Sequence, residues 1–313
     1  MVTDTTAVPP SRAPLLSRSA MSPSLSSARK LALPLLLVLS ACIAPAQART
    51  PATPAAPAPL KVMSFNVRVP VDTDGDKRWD VRRSAMAALI RAQHPDVFGT
   101  QELVQRQADY LAAQLPEYRW FGPSRDGKDD GERMGVFYDS HALKLVDSGH
   151  FWLSDTPEVM GSISWGHPLP RMVNWGLFER IGDGRRFYLF DTHLPYRDED
   201  EAARAKGAAL IVSRLKALPA DVPVVLTGDF NTVPDSPTYR SLTASLADAR
   251  TQVAQPQGPE ATFHDFTGHP DRRIDWILSR GLKATHYATL DARPQGHWPS
   301  DHFPVIATFA WPQ

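Results

Sequence analysis

Val224-Val225-Leu226-Thr227-Gly228-Asp229-Phe230-Asn231 is the stretch on which the reading of this chain turns. Its β-branched and apolar residues predict a central strand over 222–230. An Asp and an Asn then close that strand. An unpaired buried carboxylate costs several kcal/mol unless a metal, a charge or hydrogen bonds compensate. A strand that ends this way has a chemical reason to do so. The same arrangement recurs along the chain. Asn66 follows Met63-Ser64-Phe65, Glu102 closes the run from Val97, and His193 closes Tyr188 to Thr192. Asp275 lies between Ile274 and Trp276, and Asp301-His302 precede Phe303-Pro304-Val305. Strand ends on one edge of a packed sheet converge on a common cleft, so these residues are expected to meet.

Around these ends the patterning predicts further strands over 61–69, 96–102, 133–138, 144–153, 173–180, 187–194, 273–278, 283–290 and 303–310. Helices are predicted over 79–93, 103–115, 198–217, with Asp198 as its N-cap, and 238–245. Strands arrive mostly in blocks with helices between some of them, which suits two packed, largely antiparallel sheets with helices outside. No repeat of 20–50 residues is visible. Gly-rich phosphate loops, G-x-S-x-G and H-E-x-x-H are absent, which removes nucleotide-loop, serine-hydrolase and zincin readings.

The chain has 313 residues, 42% hydrophobic and 22% charged, with formal net charge zero. That is ordinary for a globular protein. Without residues 1–48 the acidic residues slightly outnumber the basic ones. This argues against a protein that coats nucleic acid, which carries a basic stripe. The single cysteine, Cys42, excludes an intramolecular disulfide. Arg29-Lys30, the apolar run 31–40 and Ala46-Gln47-Ala48 read as a signal region over 1–48, cleaved after Ala48. Met21 fits as an alternative start. Leu39-Ser40-Ala41-Cys42 supports a second reading, a lipobox cleaved before an acylated Cys42. Both readings place the protein beyond a bacterial inner membrane, and membrane contact is expected only through that anchor. Residues 49–59 read as a Pro/Ala-rich linker and 60–313 as one folded domain, expected to be a monomer.

The strand-end set is rich in carboxylates and amides and has no thiol. Such ligands suit a hard cation, Mg2+ with Mn2+ as the alternative, rather than zinc. A histidine beside a carboxylate can then act as general base. Ser64-Phe65-Asn66, Gln101-Glu102, Thr192-His193, Gly228-Asp229-Phe230-Asn231, Arg273-Ile274-Asp275-Trp276-Ile277 and Ser300-Asp301-His302 occur in the order of the endonuclease/exonuclease/phosphatase superfamily, the deoxyribonuclease I-like metal-dependent phosphoesterases. The chain resembles that superfamily over about 60–312.

The resemblance implies an α/β fold, a four-layer α/β/β/α sandwich with two packed mixed, mostly antiparallel sheets. It implies that Glu102, with Asn66 and Asp301 close by, binds the metal. It makes His302 the general base oriented by Asp275. Asp229 and Asn231 position water and phosphate, with Asp229 the alternative base. His193 binds a phosphate oxygen and Glu132 supports His193. Arg68 stands where abasic-site nucleases of the superfamily carry an acidic residue; it and Arg171 are candidates to grip the substrate anion. The expected activity is an exported phosphoesterase acting on a phosphate-ester substrate, with diesters favoured over monoesters. The alternatives are a secreted nuclease, which the charge balance does not favour, and a non-catalytic phosphate-ligand binding protein. Trp152, Trp165 and Trp175 read either as core or as an aromatic rim.

Overall fold

The computed structural model describes residues 57–312. The predicted signal region, the lipobox at Cys42 and most of the linker lie outside the described residues. β1 (Leu60–Asn66) leads through a 3-10 turn to α1 (Trp79–Gln93), β2 (Val97–Leu103), α2 (Gln105–Gln114) and β3 (Tyr118–Phe121). Then come β4 (Arg133–Asp139), β5 (Leu143–Trp152), β6 (Met172–Arg180), β7 (Arg186–His193), α3 (Glu201–Lys216) and β8 (Val224–Asp229). The chain ends with α4 (Pro237–Thr243), β9 (Ala247–Asp248), α5 (Ala249–Gln252), β10 (Asp275–Arg280), β11 (Lys283–Thr289) and β12 (Val305–Ala310).

Two six-stranded sheets result, ordered β11-β12-β1-β2-β4-β3 and β5-β6-β7-β8-β10-β9. Each has one parallel pair, β1 with β2 and β7 with β8, and is antiparallel elsewhere. The connection within each parallel pair is a helix, α1 or α3, as a parallel crossover requires. The two sheets therefore share one pairing pattern although the sequence shows no repeat.

The apolar residues sort into layers. Val62, Val97, Val136, Leu189, Val225 and Ile277 pack between the sheets. Met86, Leu89, Ile90 and Leu111 of α1 and α2 pack on the outer face of the first sheet with Phe65 and Phe98. Ile211, Val212 and Leu215 of α3 and Leu242 of α4 pack on the second with Phe190, Leu226 and Trp276. Helix, sheet, sheet and helix make four layers, and because both sheets are covered on both sides β8 is buried throughout.

The helix predicted over 198–217 begins later than expected. Asp198–Asp200 form a 3-10 turn, α3 starts at Glu201, and Asp198 makes no cap. Arginines tie the entry instead. Arg197 donates to both oxygens of Asp200, at 3.0 and 2.6 Å, and Arg204 donates to the carbonyls of Pro195 and Arg197. The four-residue strand β3 and the two-residue β9 were not predicted; neither is long enough to show a period.

The topology puts the functional strand ends on one edge. Asn66 and Glu102 end parallel strands, as do His193 and Asp229, which are paired in register. Asp275 opens β10 opposite Asp229, and Ser300 to His302 enter β12 beside the end of β1.

Candidate active site

Local backbone geometry aims several of these side chains. Glu102 lies at φ 61°, Asn231 at φ 50° and Arg68 at φ 54°, all left-handed and unfavourable for most residues. The pairing of β2 with β4 shifts between Thr100 and Leu103, an irregularity that turns Glu102 out of the ladder. Glu102 is then fixed from both sides: Val69 N–H donates to Oε2 at 2.8 Å and Asn66 Nδ2 to Oε1 at 3.1 Å. Asn66 Nδ2 also donates to Asp229 Oδ2 at 2.9 Å, so one amide joins carboxylates from the two sheets. Its oxygen accepts from Arg68 N–H at 3.0 Å. Asn66 thus meets both carboxylates as a donor.

His302 Nδ1 donates to Asp275 Oδ2 at 2.9 Å, and its Nε2 lies 3.8 Å from Asp229 Oδ2. Asp275 therefore sets the ring so that Nε2 faces the cleft. Burial disfavours charge on this imidazole, but Asp275, Asp229 and Asp301 outweigh it, and His302 is pushed up to about 10. Asp229 is pushed up to about 7 by burial and then by Asp275, against His302 and the bonds from Asn66 and Asn231 N–H. Asp301 is raised by burial, with His302 opposing and Glu102 adding to the rise. For Glu102, burial is outweighed by Val69 N–H, His302, Asn66 and Arg68, and the carboxyl is held low.

His193 Nε2 lies 2.9 Å from Asn231 Nδ2 and 3.5 Å from Asp229 Oδ2. Asn231 Nδ2 also donates to Leu194 O at 3.1 Å. Burial, then the positive charges of Arg171 and Arg125, hold His193 well below its usual range, so it is neutral.

Ten of the eleven expected site residues, Arg171 among them, line one cleft of about 370 Å³ or, for Asp275, stand directly behind its wall, while Asn66 lies beneath Glu102 and Asp229. Arg68 bridges Asp74 at 3.0 Å and Asp301 at 3.6 Å. One expected contact is corrected. Glu132 does not support His193: its Oε1 accepts from Arg125 Nη2 at 2.6 Å, and His193 Nδ1 has no partner among the described residues. The buried guanidinium of Arg125 is the nearer and stronger donor for that carboxylate. Trp152 is buried core, and none of Trp152, Trp165 and Trp175 lines the cleft.

Sequence reasoning missed Arg125, which stands just before the Gly- and Asp-rich stretch 126–131. It also passed over Asp191. That carboxyl accepts from Gln101 Nε2 and Thr227 Oγ1, both at 2.7 Å, and so pins one sheet to the other behind Glu102 and His193. Its signal was a charge inside an apolar strand.

The donor set fits a divalent cation. Single atoms of Glu102, His193 and Asp229 lie within 4.8 Å of one another, as do those of Asp229, Asp275 and His302. Asp301 adds a third carboxylate to Glu102 and Asp229 in the same cleft, an oxygen-rich donor set of the kind that suits a hard divalent cation.

The sequence model of the Endonuclease/Exonuclease/phosphatase family matches residues 63–302. A solved member of that family from Bacteroides thetaiotaomicron is 31% identical, with a TM-score of 0.76, over 82% of this chain and 99% of that one. The mannosyl-6-phosphatase of the same organism is 30% identical, with a TM-score of 0.75, over 80% of this chain and 100% of that one. Among curated proteins, tyrosyl-DNA phosphodiesterase 2 of Danio rerio is 23% identical over 271 residues, 80% of this chain and 66% of the relative. The chain spans about two thirds of the length of the curated relatives matched first, 67%, 66% and 66%.

Proposed function

The chain belongs to the endonuclease/exonuclease/phosphatase family, hydrolases of phosphoester bonds, and from that premise we propose that it is an exported, Mg2+-dependent phosphatase of a small polar phosphomonoester. The observation that carries the reaction is the Asp275–His302 pair facing Asp229, with Glu102 across the cleft. Glu102 and Asp229, with Asp301 beside them, would hold the cation, which when bound neutralises phosphate oxygens and charge gathering on the phosphoryl group. A general base must be neutral to accept a proton. His302 is raised by three acidic neighbours, so it becomes a competent base only when their charge is offset. His302 Nε2 then takes the proton of the attacking water while Asp275 keeps the ring in one tautomer. Asn231, whose amide nitrogen is occupied by His193 and Leu194, turns its carbonyl oxygen to orient that water. Arg68 attracts the phosphate from the open side.

The preference for a monoester departs from the sequence-based preference for diesters. It is supported by the cleft volume of about 370 Å³, by its arginine-rich walls and by the likeness to mannosyl-6-phosphatase. Pockets for small ligands span roughly 300–1,000 Å³. Likeness to tyrosyl-DNA phosphodiesterase 2 supports a second reading, cleavage of nucleic-acid phosphodiesters, against which the acidic balance of the folded part stands. Export rests on the signal-like segment before Ala48. The test is a panel of sugar phosphates, inositol phosphates, bis-p-nitrophenyl phosphate, sphingomyelin, DNA and RNA, each with Mg2+ and with EDTA. Metal-dependent release of phosphate from sugar phosphates is expected. Turnover confined to DNA or RNA replaces the proposal with the second reading.

A further inference from the structure

One wall of the cleft contains a charge that nothing in the reaction uses. Arg171 precedes β6 and is only 2% exposed, yet it lines the cleft. Among the described residues no acceptor meets its guanidinium, and its Nε and Nη1 are buried without a partner. Beside it, Arg125 gives one nitrogen to Glu132 at 2.6 Å. One carboxylate thus stands near two guanidiniums and bonds only to Arg125. Burial, then the positive charge of Arg125, pulls Arg171 down to about 10, the signature of a cation that lacks its counter-ion. Leaving a buried charge unpaired is costly, and the natural remedy is an anion that arrives with the substrate.

The pair is built rather than incidental. Trp152 Nε1 donates to the carbonyl of Arg125 at 2.6 Å, and Leu153 N–H to that of Arg171 at 2.7 Å. Arg125 N–H donates to Glu132 O at 2.8 Å. Trp152 itself packs with Met134 and Met172 in a small apolar cluster under these residues. Both arginine backbones are therefore fixed before any ligand binds, which lowers the entropy lost on binding. The charges that act most strongly on Arg171 are Arg125 and Glu132, ahead of Asp229 and Glu102. The pair lines the His193 side of the cleft, where Arg171 and Arg125 are the charges that act most strongly on that ring.

We propose that Arg125 and Arg171 form a second anion pocket, which receives a negatively charged group on the leaving part of the substrate. The substrate class is a small phosphomonoester that carries a further phosphate or carboxylate. This rests on the reading of the cleft as a phosphatase site.

Three substrates that differ in one group test it: glucose 6-phosphate, glucose 1,6-bisphosphate and 6-phosphogluconate. With Mg2+, kcat/KM for at least one doubly charged sugar is expected to exceed that for glucose 6-phosphate by about tenfold or more, the usual size of a charge-assisted contact. Which one gains tells phosphate from carboxylate. Arg171→Gln is expected to raise KM for that sugar about tenfold more than for glucose 6-phosphate, with kcat little altered. No advantage in the wild type overturns the proposal, and so does an equal loss on all three, which would assign Arg171 to the phosphate being cleaved. Pyrophosphate binding measured by calorimetry in EDTA keeps the pocket testable without turnover. Arg171→Gln, checked for an unchanged melting temperature, is expected to weaken it about tenfold or more; equal affinity overturns the pocket. If no sugar phosphate is turned over, the phosphatase reading fails while the pyrophosphate result still decides the pocket. Should Arg171→Gln not fold, Arg125→Gln takes its place in both arms with the same outcomes.

Discussion

Asp191 and Asp229 stand on neighbouring parallel strands, both fully enclosed, and they behave differently. Asp191 lies in the closed middle of the sandwich, between β2 of one sheet and β8 of the other. It meets two neutral donors, Gln101 and Thr227, and no cation. Burial raises it well above the carboxylate range, and its Oδ1 works as the acceptor that joins the two sheets. Room for it comes from Gly99, where a Cβ would lie 2.1 Å from Asp191 Oδ1. Asp229 is two residues beyond the partner of Asp191, at the open edge of the same sheets. It meets His302 and Asn66 together with further acids, and it sits at about 7, poised between charged and neutral. The same residue type in the same pair of strands is structural where the sheets close over it and chemical where they part. The difference lies in what surrounds each carboxyl.

The largest expected effect belongs to the edge. Asp229→Ala and Glu102→Ala should each lower kcat by about 10³ or more, given the size of electrostatic and general-base contributions, with the fold intact by circular dichroism. The closed middle should respond the other way, in stability rather than rate. Asp191→Ala strands two buried donors and should cost roughly 3 kcal/mol in urea unfolding. Asp191→Asn keeps both acceptor bonds and should cost less than about 1 kcal/mol. Equal losses would mean that the two accepted hydrogen bonds are not what Asp191 contributes, and the contrast with Asp229 would collapse.

Metal addition sharpens the same contrast. Mg2+ at one hundred times its Kd should stabilise the wild type by about 2.7 kcal/mol, an increment absent from Asp229→Ala and unchanged in Asp191→Asn. The smallest effect concerns pH. His264, stacked on Phe303 and accepting from Gly268 N–H, is held down at about 4 by burial and then by the charge of His302. Its unfolded value is about 6.5. The unfolded chain therefore binds the proton first, so the stability due to neutral His264 is present above about 6.5 and lost as pH falls towards 4. Replacing it in His264→Gln should flatten the melting temperature over that window; an unchanged slope would remove His264 as the cause.

Much of this contrast was legible before any coordinates. The apolar runs located nearly every long strand, and α1 falls over Trp79–Gln93 as its spacing predicts. Asn66, Glu102, His193, Asp229, Asn231, Asp275, Asp301 and His302 stood out because charge at the end of a buried strand is rare. Other features were hidden because they depend on distant pairings. The common pairing pattern of the two sheets leaves no repeat in the sequence. The role of Asp191 could not be read locally, since its donors are 90 and 36 residues away. The partner of Glu132 is Arg125 rather than His193 because a loop folds back over β4. The start of α3 was misplaced because Arg197 and Arg204 replace the usual side-chain cap.

The proposed hydrolysis depends on a water molecule delivered to phosphorus by His302 in a cation-dependent cleft. Turnover of p-nitrophenyl phosphate and its bis ester by the wild type and by His302→Ala, each with Mg2+ and with EDTA, tests this most directly. Hydrolysis by the wild type with Mg2+ alone is predicted, with a fall of about 10³ or more in the variant at an unchanged melting temperature. Rates within a few fold of each other, or rates indifferent to EDTA, would contradict it.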